Sequence, residues 1–97
     1  MPNYNVRVSE HIAANMLEYT NFISNVSVDA AKRFMFEFEK VVDHLEDNPF
    51  QFQIDTSFKN PAKYRRVVFA KWYKCLFTVE GTTVYLDYIV DCRQDTE

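Results

Sequence analysis

The chain has 97 residues, 47% of them apolar and 16% aromatic, with one glycine and three prolines. That is enough apolar side chain for one core without metal or disulfide support, and it excludes collagen-like, low-complexity and disordered classes. A net charge of -3, from 11 basic and 14 acidic side chains, argues against a general nucleic-acid binder, because such binding gains most of its affinity by neutralising phosphates.

The charge is not evenly placed. Residues 1–57 carry four basic and nine acidic side chains (-5), residues 58–80 six basic and one acidic (+5), and residues 81–97 one basic and four acidic (-3). The longest apolar run, Val67-Val68-Phe69-Ala70, is far short of the roughly 20 residues that span a bilayer. Met1-Pro2-Asn3-Tyr4 has no signal-peptide character. These features predict a single domain over residues 1–97 of a soluble cytoplasmic protein.

In chain order, Tyr4, Val6 and Val8 alternate with polar residues, the pattern of a short strand with one buried face. Ser9 stands where an N-cap belongs, Glu10 follows in the first turn, and Ile12, Met16, Tyr19 and Ile23 recur at helical spacing to about Asn25. Ser27 caps a second helix with Asp29 in its first turn and an apolar face of Ala31, Phe34, Phe38, Val41, Val42 and Leu45. Asn48-Pro49 ends it, and the short link between the helices predicts an antiparallel hairpin laid over one face of a sheet. Phe50, Phe52 and Ile54 then alternate, as a short strand or as a loop pinned by aromatic side chains, and Phe58–Ala62 reads as a connecting loop.

The last third, Tyr64 to Asp95, is rich in Val, Tyr, Phe and Thr and is broken only at Ala70-Lys71 and Glu80-Gly81-Thr82, which predicts a three-stranded antiparallel meander. Tyr73, Cys75, Phe77 and Val79 form one face of its middle strand, and Trp72, Lys74, Leu76 and Thr78 the other. In the last strand Val84, Leu86, Tyr88 and Val90 alternate with Tyr85, Asp87, Ile89 and Asp91, and Arg93 falls on the second set. The expected architecture is βααβββ, an α+β fold with helices on one sheet face and an open, basic and aromatic face opposite.

Basic and aromatic side chains on one rigid sheet suit a phosphate backbone or an acidic protein segment. The bland alternative is a solvated face with ordinary surface lysines and arginines, and Trp72 as packing rather than a stacking platform. His11 and His44 read as solvated helix histidines. Asp87 and Asp91, sharing the expected open face, are better matched to salt bridges with Lys74 or Arg93 than to a metal, which would call for His or Cys partners. Cys75 and Cys92 are too few for a zinc site and fall about four residues out of register, so both are expected to be free thiols. No metal or cofactor is expected.

The order of Val6-Arg7-Val8-Ser9-Glu10, Leu45 to Pro49, Tyr64-Arg65-Arg66-Val67, Trp72-Tyr73-Lys74-Cys75-Leu76-Phe77-Thr78-Val79 and Asp91-Cys92-Arg93-Gln94-Asp95 resembles the RelE/ParE superfamily of type II toxin–antitoxin toxins, also known as plasmid stabilisation proteins. The resemblance spans nearly the whole chain. It implies a growth-inhibiting toxin held inactive by a cognate antitoxin that covers part of the basic sheet face. The activity it implies first is that of a ribosome-dependent mRNA interferase that inhibits translation; the alternatives are the branch that inhibits DNA gyrase and a non-toxic interaction module that kept only the fold.

On the RNA-cleaving reading the resemblance implies a metal-independent endoribonuclease. Lys74 stands where those members usually have an arginine, Arg93 matches the basic residue after the last strand, and Arg65 supplies further charge. Arg66, Lys63, Lys71 and Trp72 would bind RNA. Metal-free cleavage needs proton transfer at the 2′-hydroxyl and at the leaving oxygen besides phosphorane stabilisation. Several nuclease members place a tyrosine or histidine beyond that arginine, where this sequence has Gln94 to Glu97, so the proton transfer falls to a lysine or to Tyr73 or Tyr85.

Overall fold

A computed structural model describes residues 3–56 and 64–94. The elements run β1 (Asn5–Val8), α1 (Glu10–Ser24), α2 (Val28–Asp47), a 3-10 turn (Pro49–Gln51), β2 (Arg65–Phe69), β3 (Tyr73–Glu80), β4 (Thr83–Asp91) and a closing 3-10 turn (Cys92–Gln94). The local chemistry places the boundaries. Ser9 Oγ accepts from the Ile12 N–H and Ser27 Oγ from the Ala30 N–H, both at 3.1 Å, so each helix starts on its serine cap. Asn48 leaves the helical region, and its Oδ1 accepts from the Phe50 N–H to start the 3-10 turn.

The sheet order is β1-β4-β3-β2. β2, β3 and β4 form the expected antiparallel meander, and β1 adds to the far side of β4 in parallel, with Val6 opposite Val84. The last strand is therefore central, and the sheet is mixed at one edge. Gly81 turns β3 into β4 with φ +60°, at the first loop position, where a two-residue hairpin turn of type II′ needs a residue without a Cβ. Ile54 makes one antiparallel bridge to Arg65, so the alternating Phe50–Ile54 segment is partly the aromatic-pinned loop and partly a fragment of strand beside β2.

The core lies between the helical hairpin and one sheet face. Ile12, Phe34, Val41 and Leu45 from the helices meet Val67, Phe69, Tyr73, Cys75, Phe77, Val84, Leu86 and Ile89 from the sheet. Rings pack edge-on at its centre, with Phe34 4.8 Å and Tyr19 5.1 Å from Tyr73. Leu76 is also fully buried but on the opposite face, between Arg66 and Tyr88 in the strand register. That face is thus not open along its middle.

Strict alternation fails once, with consequences for the site. Phe77 pairs with Leu86 but Leu76 with Tyr88, so Asp87 is an extra residue in β4. Such a bulge moves every later side chain to the other face. Ile89 and Asp91 consequently join Tyr73 and Cys75 on the helix side, and Asp87 and Asp91 do not share an open face. Cys75 lies opposite Ile89, and both cysteines are free thiols. No helix among the described residues is long and apolar enough to cross a membrane.

Candidate functional site at the end of the sheet

The sequence-predicted residues fall into two groups, one at the end of the sheet and one around β2. The first gathers where β3 begins and β4 ends. Tyr73 opens β3 opposite Asp91, the last residue of β4, and the Cys92 N–H donates to the Trp72 carbonyl at 2.7 Å, which fixes the closing turn against the β2–β3 loop. Arg93 curls back from there. Its Nε donates to Asp91 Oδ1 at 3.1 Å, its Nη2 to Asp91 Oδ2 at 2.9 Å, and its backbone N–H to Asp91 Oδ1 at 3.0 Å. This two-pronged grip fixes the plane of the guanidinium. Nη2 also donates to the Tyr73 hydroxyl at 3.4 Å, and the guanidinium carbon lies 4.9 Å from the centre of the Trp72 ring.

The grip also sets the protonation of the group. Hydrogen bonds from Arg93 hold the Asp91 carboxyl below its usual range, against the opposing effect of burial, and the carboxylate in turn raises the Arg93 guanidinium. Burial, and then the Asp91 charge, push the Tyr73 phenol up, so it stays protonated at neutral pH. Lys71 and Trp72 complete the cluster, with Lys71 Nζ 5.6 Å from the Trp72 ring centre. They sit on a strained loop: Ala70 (φ 49°) and Lys71 (φ 77°) are both left-handed without being glycine. Trp72 belongs to this loop and not to the outer face of β3, where strand alternation alone would put it.

The second group surrounds β2 and the segment before it, with Lys74 and Arg66 on the face away from the helices and Arg65, opposite Phe77, on the helix side, and its cations are engaged within the protein. Lys74 Nζ is 2.8 Å from Asp55 Oδ2, with side-chain exposures of 12% and 0%. Arg65 Nη1 donates to the Phe52 carbonyl at 2.6 Å, and its guanidinium lies 5.1 Å from the centre of the Phe50 ring. Arg66 Nη2 donates to Gln53 Oε1 at 3.1 Å, and its backbone N–H to the Gln53 carbonyl at 3.0 Å. The Asp55 N–H donates to the Tyr64 carbonyl at 2.7 Å. The segment after the 3-10 turn therefore runs alongside β2, held by the side chains expected to hold phosphate. Lys63 lies outside the described residues.

Sequence reasoning missed two residues here. Asp55 supplies the Lys74 counter-charge, a role that the alternation of Phe50, Phe52 and Ile54 before a basic strand hinted at without naming the partner. Tyr64 donates its hydroxyl to Asp87 Oδ2 at 2.8 Å and packs edge-on against Tyr88, with ring centres 5.7 Å apart. Burial first, and then the Asp87 hydrogen bond, raise its phenol to about 12. His11, exposed on α1, approaches the other side of the Tyr88 ring at 5.5 Å. Tyr85 is exposed on β4, and among the described residues no three His, Cys, Asp or Glu side chains come together as a metal site.

Chemically, the Arg93 cluster is suited to holding an anionic or acidic group against an exposed aromatic surface. Its phenol is poorly placed on the pH scale to act as a base. The family models contain no match to this sequence, and no curated protein matches it. Among solved structures, a chain of the chromosomal ParDE toxin–antitoxin (TA) system from P. aeruginosa is similar, with a TM-score of 0.72 at 15% identity over 92% of this chain and 96% of that one. The chain has the RelE/ParE-like α+β fold.

Proposed function

We propose that the chain is the toxin subunit of a type II toxin–antitoxin module and acts by binding its target, in the manner of the branch that inhibits DNA gyrase. The observation that carries this reading is the state of the cations. Lys74, Arg65 and Arg66 are half-buried and engaged by Asp55, the Phe52 carbonyl and Gln53, while Arg93, fixed by Asp91 but 49% exposed, forms an exposed cluster with Lys71 and Trp72. A stoichiometric inhibitor needs such a recognition surface and no proton-transfer group. The ParDE likeness, at the level of fold, supports the toxin-module part of this reading.

Ribosome-dependent mRNA cleavage is the second reading, favoured by the hydrogen bond that joins Arg93 to the Tyr73 hydroxyl. Phosphorane stabilisation by Arg93 and proton donation by Tyr73 would then make the active pair. Induced expression, with and without the product of the adjoining reading frame, tests the toxin assignment. Growth arrest relieved by that product is expected, and normal growth on strong induction would refute it. Transcript 5′ ends mapped after induction separate the readings: codon-phased cuts in translated messages support cleavage, and intact messages support target binding.

A further inference from the structure

A cleft of about 620 Å³ opens beside the Arg93 cluster, between the end of α1, the start of α2 and the β2–β3 loop. Its apolar wall is exposed: Phe22 is 63%, Val26 84% and Trp72 42% accessible. Its charged rim consists of Arg33, Lys71 and Arg93 against the single carboxylate of Glu37. Asp91 is buried behind the rim, with both oxygens taken by Arg93. Counting Asp91 with Glu37, three cations against two acids leave the rim at +1, a local reversal of a chain whose net charge is -3.

The chemistry of the lining selects the occupant. An apolar floor exposed to this degree gains by burying a Leu- or Phe-sized side chain, at roughly 25 cal/mol per Å² of apolar surface removed from water. The rim then favours carboxylates on either side of that anchor and repels a basic segment. Arg93 contributes at little entropic cost, because Asp91 and Trp72 already hold its guanidinium in place while Nη1 keeps no partner among the described residues.

We infer that this cleft is the docking site for an acidic amphipathic segment of a partner protein. The toxin reading supplies the partner's identity, the antitoxin, and to that extent the inference rests on it. Docking therefore centres on the helix hairpin and the β2–β3 loop and not on the basic sheet face, whose Lys74 and Arg66 are engaged by the chain's own Asp55 and by groups of Gln53 and Ile54.

The chain's single tryptophan lies in this cleft and reports occupancy directly. The probes are two synthetic peptides with leucines at helical spacing, one with glutamates between them and one with lysines. The full chain is expected to show a saturable change in Trp72 emission with the Leu/Glu peptide and none with the Leu/Lys peptide. The double variant Arg33→Glu with Lys71→Glu, at two exposed positions, should bind the Leu/Glu peptide at least roughly tenfold more weakly and acquire binding of the Leu/Lys peptide. Circular dichroism matching the unsubstituted chain certifies its fold. Equal responses to both peptides, no saturable response, or undiminished Leu/Glu binding by the variant would each overturn the cleft assignment. Co-purification of the unsubstituted chain and of the variant with the adjoining gene product then tests the partner. Loss of the complex in the variant is expected, and an unaffected complex overturns docking at this cleft while leaving the toxin reading intact. Absence of growth arrest overturns the toxin reading, and the peptides still decide the cleft.

Discussion

Substituting Asp55 by Asn removes a counter-charge at 2.8 Å from the Lys74 ammonium inside the protein. The volume at position 55 is conserved, so a cavity does not account for the effect. The Asp55 side chain is 0% and the Lys74 side chain 12% exposed, and the ion pair spans 2.8 Å. Removing one partner of such a pair typically costs about 3–5 kcal/mol, and the small opening over Lys74 puts this case near about 3 kcal/mol. Against a total stability of roughly 5–15 kcal/mol, that is a large fraction. It corresponds to a fall in Tm of roughly 12–24 °C for a domain of this size. Urea unfolding followed by circular dichroism measures it. Adding Lys74→Met removes the buried ammonium as well, and the double variant should recover a substantial part of the loss. A loss below about 1 kcal/mol for Asp55→Asn, the size expected of a solvent-exposed pair, would refute the reasoning.

Further outcomes follow from the same geometry. Ala70→Gly relieves a left-handed backbone at φ 49° and should stabilise the chain by roughly 0.5–1 kcal/mol after the added unfolded-state entropy is subtracted; a measured loss would contradict this. Burial pushes the Cys75 thiol up to about 12, so a thiol reagent at pH 8 should label Cys92 in the folded protein and reach Cys75 only on unfolding. Mass spectrometry of the labelled peptides reads the order. Arg93 lowers the folded-state Asp91 carboxyl, so its contribution is present above the unfolded value near about 4 and is lost as pH falls through the lower folded value. Arg93→Ala should therefore be less stable than the unsubstituted chain at pH 7, with a difference that closes as pH drops below about 4. A difference independent of pH would contradict the Asp91 assignment.

The elements that bury regular stripes were legible in the sequence. The serine caps, the helical spacing from Ile12 to Ile23 and the Phe34–Leu45 face placed both helices to within a residue or so. Tyr73, Cys75, Phe77 and Val79 identified the core side of β3. The Asp87 bulge was not legible, because one extra strand residue leaves no composition signal while exchanging the faces of everything after it. That single residue separates Asp91 from the outer face and gives it to Arg93. The parallel docking of β1 on β4 and the return of Asp55 to Lys74 depend on contacts across more than a dozen residues, which local periodicity does not encode. The sequence offered Arg93 with Lys74 and Arg65, and Lys71 and Trp72 with Arg66 and Lys63; the gathering of Arg93, Lys71 and Trp72 at one end of the sheet, apart from Lys74, Arg65 and Arg66, required the three-dimensional register.

The central claim is that this chain binds a target instead of cleaving RNA. Purified protein added to a gyrase supercoiling reaction, in parallel with a translating ribosome reaction on a defined message, tests it most directly. The account predicts loss of supercoiling as the protein approaches stoichiometry with gyrase, reduced by Lys71→Glu, with the message intact. Undisturbed supercoiling together with codon-phased cleavage of the message would contradict it.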